Sequence, residues 1–325
     1  PTTAPAVVEV DVFGPDGLRD VAGRSGVVVP AGGSATVWVD ALASGLPVAS
    51  LHVTARSGLI SAAVLSQRID GLTPQGAAFL APVARPETRH VLPAVPEDID
   101  AATLVVTAPG SRTQLQIDVL TESGLVPLPG VETAQVGAGQ TVAVDITEGL
   151  RSTPGAVQIR ATEPVLATVL HSLDRSGPPP RFAPPGVVVR DLAFTTSAAP
   201  IGADAVAPLA TVAQSSAWLR VAAVGGGAVV RVQTIGADGT AVGKAQRIRL
   251  TAGGSRIVAV RSPADKGPAL VRLAQVSGSG EAFAGVIQQQ DVDGEMLTTW
   301  PAEPLERTVT VPDARPADGL IPGES

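Results

Sequence analysis

One pattern recurs three times along the chain, and it restricts the fold more than any other feature of the sequence. Over residues 7–40 an alternating run ends at Phe13, followed by the turn Gly14-Pro15-Asp16-Gly17, a run at 26–30, the landmark Ala31-Gly32-Gly33 and a run at 34–40. The same order returns over residues 114–147, with runs at 114–120 and 141–147, the turn Glu122-Ser123-Gly124 and the landmark Gly137-Ala138-Gly139. It returns again over 229–261, with the turn Gly236-Ala237-Asp238-Gly239, a run at 247–251, the landmark Ala252-Gly253-Gly254 and a run at 255–261. The landmark alanines Ala31, Ala138 and Ala252 stand 107 and 114 residues apart. After each comes another pair of runs: 51–55 with 60–67, 157–161 with 165–173, and 270–276 with 282–289. Each pair closes on an acidic turn with glycine, at Asp70-Gly71, residues 174–177 and Asp293-Gly294.

The runs have the period of strands. Val8, Val10 and Val12 alternate with Glu9 and Asp11, and Val142, Val144 and Ile146 alternate with Thr141, Ala143 and Asp145. A period of two places one residue set on a buried face and the other on an exposed one. Asp16-Gly17 and Asp238-Gly239 are hairpin signals, because glycine reaches the positive φ that tight turns need. A further run, at 103–108 or 219–224, precedes the second and third copies. About 100 residues with six or seven short strands and turns every 8–12 residues is the pattern of a sandwich. The reading is therefore all-β: three tandem immunoglobulin- or fibronectin-like β-sandwich units joined by Pro-rich connectors. The units span 1–72 (first strand missing), 103–177 and 218–295, the connectors 73–102 and 178–217, and a tail with one strand 296–325. Each connector places one edge strand, at 88–92 or 187–192, because proline is excluded from central strands. Helical pattern is nearly absent; the best candidate, 203–214, contains Pro208 and reads as a linker turn.

Composition removes several function classes. The chain has no cysteine, so it has no disulfide, thiolate metal site or cysteine nucleophile. Its net charge is −7 and only 2% of its residues are aromatic, which leaves neither a basic stripe nor stacking platforms for nucleic acid. No run approaches the roughly 18 apolar residues of a membrane span. Residues 1–5 have neither the basic start nor the apolar segment of a signal peptide, and read as a stalk or linker.

No catalytic constellation assembles. His52, His90 and His171 fall at different strand positions in different units, and a zinc or catalytic site would have to draw them together across units. Asp291-Val292-Asp293-Gly294-Glu295 looks like a calcium loop but lacks the twelve-residue ligand pattern, and its counterparts at 68–71 and 174–177 lack the carboxylates, so it reads as a solvated turn. The acidic cluster at 97–100 reads as solvated linker. His171, Ser172 and Asp174 cannot form a nucleophilic triad, since neighbours along a strand point to opposite faces. Gly225-Gly226-Gly227 joins two strands and so forms a hairpin turn rather than a phosphate cradle. Asp11 and Asp118, a conceivable hydrolase pair, occupy the same place in different repeats, which marks them as structural. No catalytic residue, cofactor or metal ligand is assigned.

Three tryptophans remain, Trp38, Trp218 and Trp300, in a chain with five Phe and no Tyr. A large flat side chain left exposed marks a protein or carbohydrate site. Trp38 shares the parity of Ser34, Thr36 and Asp40, opposite Val37 and Val39, which puts it on the polar face of its run. Trp218 begins a strand and Trp300 precedes Pro301, places that suit packing. These three define the candidate interaction surface.

The order of strand, Gly-Pro-Asp-Gly or Gly-Ala-Asp-Gly turn, strand, Ala-Gly-Gly, strand, and strand pair containing Pro164-Val165-Leu166-Ala167 resembles an actinobacterial cell-envelope protein family of unknown function. The resemblance covers essentially the whole chain. It implies repeated fibronectin- or immunoglobulin-like units, an N-terminal membrane anchor outside this chain, and an extracytoplasmic place in the envelope of a Gram-positive bacterium. Fold does not carry function with it. The expected role is a non-enzymatic scaffold or protein-interaction protein, whose partner is a protein or cell-envelope polymer, with a membrane glycosyltransferase among the candidates. The alternative is a carbohydrate-binding module protein that recognises a cell-wall glycan. The tail run 307–311 matches 88–92, each followed by a proline, and residues 306–313, or a strand from a partner chain, are expected to fill an open sheet edge of the array.

Overall fold

The alternation is realised as strands throughout. The structure, a computed structural model, describes residues 4–20, 26–71, 73–83, 85–175, 189–210, 215–260, 267, 269–291 and 295–305, and is 62% strand and 4% helix. The all-β expectation holds.

The middle of the chain is the template for the rest. Its strands are β7 (Glu87–Leu92), β8 (Ala101–Ala108), β9 (Thr113–Leu120), β10 (Leu125–Pro127), β11 (Thr133–Val136), β12 (Gln140–Asp145), β13 (Ala156–Arg175) and β14 (Val189–Thr196), with the short helix α2 (Thr147–Ser152) after β12. They follow β1 (Ala6–Gly14), β2 (Gly17–Arg19), β3 (Val27–Val29), α1 (Val39–Leu42), β4 (Ser50–Ser57), β5 (Val64–Asp70) and β6 (Thr73–Leu80). In the middle group one layer runs β10/β11, β9, the first half of β13, β7. The facing layer runs β12, β8, the second half of β13, β14. Leu104, Val106, Ile117, Ile159 and Val169 are fully buried between the two layers.

Strand β13 serves both layers because its register shifts between Arg160 and Val165, at Pro164. Proline has no N–H to give a ladder, so a bulge is where a strand tolerates it. Two threonines hold the bend: the Gln114 N–H donates to Thr162 Oγ1, and the Glu163 N–H donates to Thr113 Oγ1, each at 3.0 Å. In the immunoglobulin order the last two strands form a hairpin within one sheet. Here the chain changes sheet between them.

The C-terminal group comprises β15 (Ala205–Leu209), β16 (Ser215–Val224), β17 (Ala228–Gly236), β18 (Ala241–Leu250), β19 (Ser255–Val260), β20 (Ala269–Gly278), β21 (Glu281–Asp291), β22 (Glu295–Pro301) and β23 (Glu303–Pro304). Its layers, β18-β17-β20-β15-β23 and β19-β16-β21-β22, repeat the template, with β20 and β21 in place of the two halves of β13. Register repeats as well. Val10 faces Val53, Ile117 faces Ile159, and Val232 faces Leu273 at the same point of β1, β9 and β17.

The N-terminal group is incomplete. β1 pairs with β2, β3 and β4, and β5 pairs with β6, but among the described residues nothing corresponds to β7 or β8. This corrects the expected strand over residues 34–40. That segment is not a strand, and α1 begins at Val39. Its counterparts β12 and β19 exist by pairing with β8 and β16, and without such a neighbour an alternating sequence has no ladder to join.

The Pro-rich stretches hold more strand than one edge run each. β6 completes a hairpin with β5, and β14 and β15 both lie in the second stretch, so 203–214 contributes a strand rather than a linker turn. Pro208 sits in β15 beyond the reach of β23, which pairs only with Ala205 and Val206. Residues 187–188 of the expected run at 187–192, the turn residues 292–294 and the run at 307–311 lie outside the described residues.

The middle and C-terminal groups are docked through a second, smaller core. Val91, Leu120, Ala156, Ala222 and Phe283 are buried together, as are Ala94, Leu173, Ala193, Ile287 and Leu297. Arg220, itself buried, bonds Glu97 at 3.0 Å and the Val95 carbonyl across this junction. Gly285 on β21 lies so close to the other group that a Cβ there would stand 2.8 Å from Ala94 Cβ. Gly285→Ala should therefore cost about 1–3 kcal/mol by overpacking, whereas Val28→Ala, at an exposed edge, should change stability by less than about 0.5 kcal/mol. Urea unfolding of both variants checks this; equal midpoints would show that the junction has slack.

Candidate interaction surface

The three tryptophans do not converge. Trp38 immediately precedes α1 in extended conformation, and 72% of it is exposed. Trp218 on β16 pairs with Ala259 and Ile287 and packs partly buried against the junction core. Trp300 on β22 faces Val286 and packs against the core of the C-terminal group. Two of the three are thus packing residues in the C-terminal group, and only Trp38 offers its ring to solvent. Parity would have left Trp38 outside in a strand. The irregular segment leaves it outside because no neighbouring strand covers it.

Trp38 belongs to the group that exposes most of the large apolar side chains. Leu65 and Phe79 face each other across the β5–β6 hairpin and are 49% and 75% exposed; Ile69, Leu59 and Val28 are exposed too. The same cross-strand pairing recurs in the middle group as Leu170 with Phe194, and there both are half-buried. Repeat periodicity could find Phe79 by its match to Phe194, but its exposure depends on packing. Scattered apolar side chains on a surface are ordinary, whereas Leu65 and Phe79 form a facing exposed pair.

Polar groups elsewhere are structural. Asp118 is buried and bonds Arg160 at 2.9 Å, and Asp11 stands 3.8 Å from His52 in another unit, so the two carboxylates do not meet. Among the described residues no three His, Cys, Asp or Glu side chains gather as metal ligands. A shallow cleft of about 670 Å³ opens over β9, β11 and β13, lined by Gln114, Gln116, Thr133, Gln135, Arg160 and Thr162. It offers amides and hydroxyls but no aromatic ring.

His90 and His171 are both buried. His90 Nε2–H donates to the Val165 carbonyl at 2.7 Å. Thr195 Oγ1 donates to the Ala94 carbonyl at 2.7 Å, which leaves its oxygen to accept from His171 Nε2–H at 2.9 Å. This assigns the tautomer with the proton on Nε2, and among the described residues the two Nδ1 atoms have no partner. Burial pushes the pKa of His90 down, and takes that of His171 down to about 3. Both rings are neutral pegs between strands, without the exposure a proton shuttle requires.

A family model described as a family of unknown function, DUF5719, matches residues 1–261. No curated protein matches the chain. Two solved structures of infectious bursal disease virus, of the Gx and Gt strains, align with 93% of this chain and with 67% and 68% of theirs. Identity is 13% and 12%, and the TM-scores of 0.14 and 0.13 are too low to support any argument.

His171 makes the stability of the protein depend on pH. Above about pH 6.5 the ring is neutral in both folded and unfolded chains. As pH falls, the unfolded chain takes up a proton near 6.5 and the folded one only near 3, so stability present above 6.5 is lost on the way down. One such residue removes about 2 kcal/mol between pH 7 and pH 5, and His90 adds a loss of the same sign. Urea unfolding at the two pH values measures the difference, and His171→Gln should show a visibly smaller one. A variant with the wild-type pH slope would assign the loss to other groups.

Proposed function

From the chain's membership of the DUF5719 family, over residues 1–261, we propose that it is a non-enzymatic extracytoplasmic scaffold of the bacterial cell envelope that binds a protein partner through its first unit. The single observation that carries this reading is the contrast between units. Among the described residues most of the exposed large apolar side chains belong to the first group, Trp38, Leu65, Ile69 and Phe79 among them, against Leu125, Val276 and Leu305 in the other two. Exposed aromatic side chains such as Trp38 and Phe79 are the kind that supply much of the binding energy in protein interfaces. No described helix is long and apolar enough to cross a membrane. An envelope glycosyltransferase or an envelope polymer fits the same place. The cell-wall glycan reading rests on Trp38 as a stacking face for a sugar ring, with the amide-lined cleft as a second polar contact.

The test uses envelope fractions of the source organism with the wild-type chain and with the double variant Trp38→Ala, Phe79→Ser, whose sites are exposed and should leave the melting temperature within a degree or two. Cross-linking should join the wild type to one protein and lose that product at least tenfold in the double variant. An unchanged product would remove the surface from consideration. Binding on a glycan array that Trp38→Ala abolishes would establish the carbohydrate reading instead.

A further inference from the structure

In the third unit, the half of a sheet face formed by β17 and β18 carries charge of a single sign. Side chains alternate along β17, so Val230 and Val232 are buried while Arg231 is exposed. On β18, Arg247 and Arg249 are exposed on either side of the buried Ile248. Arg231 stands directly opposite Arg247, and Arg249 stands opposite Val229. Arg272 on β20 lies opposite Gln233, one diagonal step from Arg231. These arginines come from three strands and meet only through pairing, which is how a chain of net charge −7 carries a basic face.

Like charges placed directly opposite on neighbouring strands repel, so the pair Arg231 and Arg247 works against the fold. The counterpart faces of the other two units avoid such a pair. In the common register of Val10, Ile117 and Val232, Glu9 and Gln116 occupy the place of Arg231, and Asp11 and Asp118 that of Gln233. There Arg56 pairs with Glu9, and Arg160 pairs with Asp118 at 2.9 Å. In the third unit the described acids of this face, Asp204 and Glu303, stand at its far end, on and beside β15. Asp204 is taken up by Arg272, whose Nε–H donates to Oδ1 at 2.8 Å and whose Nη–H donates to Oδ2 at 2.6 Å. Those bonds, with a smaller contribution from the charge of Arg231, hold the Asp204 carboxyl below the usual carboxylate range. Among the described residues Arg231, Arg247 and Arg249 have no ion pair.

Unpaired guanidinium groups in a row are the chemistry that holds an anion. Side chains directly opposite start about 5 Å apart. Arg249 starts about 7 Å along β18 from Arg247. A single small anion therefore spans one pair and leaves the third group unmet, whereas a chain of repeated charges meets all three. A planar carboxylate is taken up by one fork, as Asp204 is by Arg272. A tetrahedral phosphate offers its oxygens in more than one plane and accepts from two forks at once. The described aromatic residues of the third unit, Trp218, Phe283 and Trp300, all lie on the other sheet, so this face has no stacking platform for a base or a sugar ring.

We propose that Arg231, Arg247 and Arg249 form a binding site for a linear polymer of phosphate groups, which lies along the outer face of β17 and β18 and neutralises the repulsion left there. The site is separate from the surface around Trp38, Leu65 and Phe79, so this inference and the scaffold reading can fail independently.

Titration of the full chain with inorganic polyphosphate tests it. The variants are Arg231→Gln with Arg247→Gln, Arg231→Glu alone, and a control, Arg19→Gln with Arg112→Gln, which removes the same charge from exposed sites in the other units. The first double variant should bind at least tenfold more weakly, and the control within twofold of the wild type. Log affinity should fall against log salt with a slope of about −2, at ~0.7 per phosphate contact, and the first double variant should flatten it. Arg231→Glu, which restores the acid found at Glu9, should abolish binding while the melting temperature holds or rises. A wild type that does not bind polyphosphate overturns the proposal, as does a double variant that binds like the wild type. Loss of binding only together with loss of the fold would make these arginines structural and overturns it too. Tighter binding of polyglutamate, of single-stranded poly-dT or of phosphatidylglycerol vesicles would assign the face to carboxylates, nucleic acid or a lipid surface in its place.

Discussion

A strand with one apolar face is stable only when a second layer closes that face and at least one neighbouring strand supplies its ladder. In this protein the neighbour comes from across a unit boundary. β7 leaves the β5–β6 hairpin and pairs in the second unit, and β15 leaves β14 and pairs in the third. The backbone ladder of each complete unit is therefore finished by chain that has just left the previous one. Among the described residues the array is interleaved rather than beaded.

Packing at the boundary between the second and third units follows from that interleaving. Once β15 is placed, β14 and β22 lie close enough for Thr299 Oγ1 to donate to the Phe194 carbonyl at 2.8 Å. The Ser255 N–H likewise reaches the Thr121 carbonyl at 2.7 Å. Most buried polar groups here find at least one partner: Thr195 links His171, Ala94 and Thr299, and an Nη of Arg220 finds Glu97. A group without partners would cost about 1–3 kcal/mol, so such bonds fix which residues can meet. Arg89 adds a further tie, paired with Glu281 and lying 5.8 Å over the Phe283 ring.

Much of the fold was legible in the residues. The alternation of Val8, Val10 and Val12 gave the buried face of β1, and the Ala-Gly landmarks gave equivalent turns in three places. Pro164 was visible inside a strand pair, but not that the chain changes sheet there, since a bulge depends on Thr113 and Thr162 from two segments. The run at 34–40 departs from its pattern for a related reason: it matches β12, yet a strand is a relation between two segments, and no partner for it stands among the described residues. Candidate-site residues divided the same way. Single-strand parity says which side of a strand a tryptophan occupies; it does not say whether another layer covers that side, as it covers Trp218 and Trp300 and leaves Trp38 bare.

The sequence by itself determined the element type, the repeat and the absence of thiol chemistry, because period-two patterning, turn glycines and residue counts are local or compositional properties. The tertiary structure alone decided which edges are paired and which apolar faces are open. Those depend on β8 and β16 having occupants for a slot that the first unit leaves empty among its described residues. Burial is set by the neighbours of a side chain, and in a β-protein those neighbours are distant in sequence: Val10 lies beside Val53 on the next strand, and Ile117 beside Ile159.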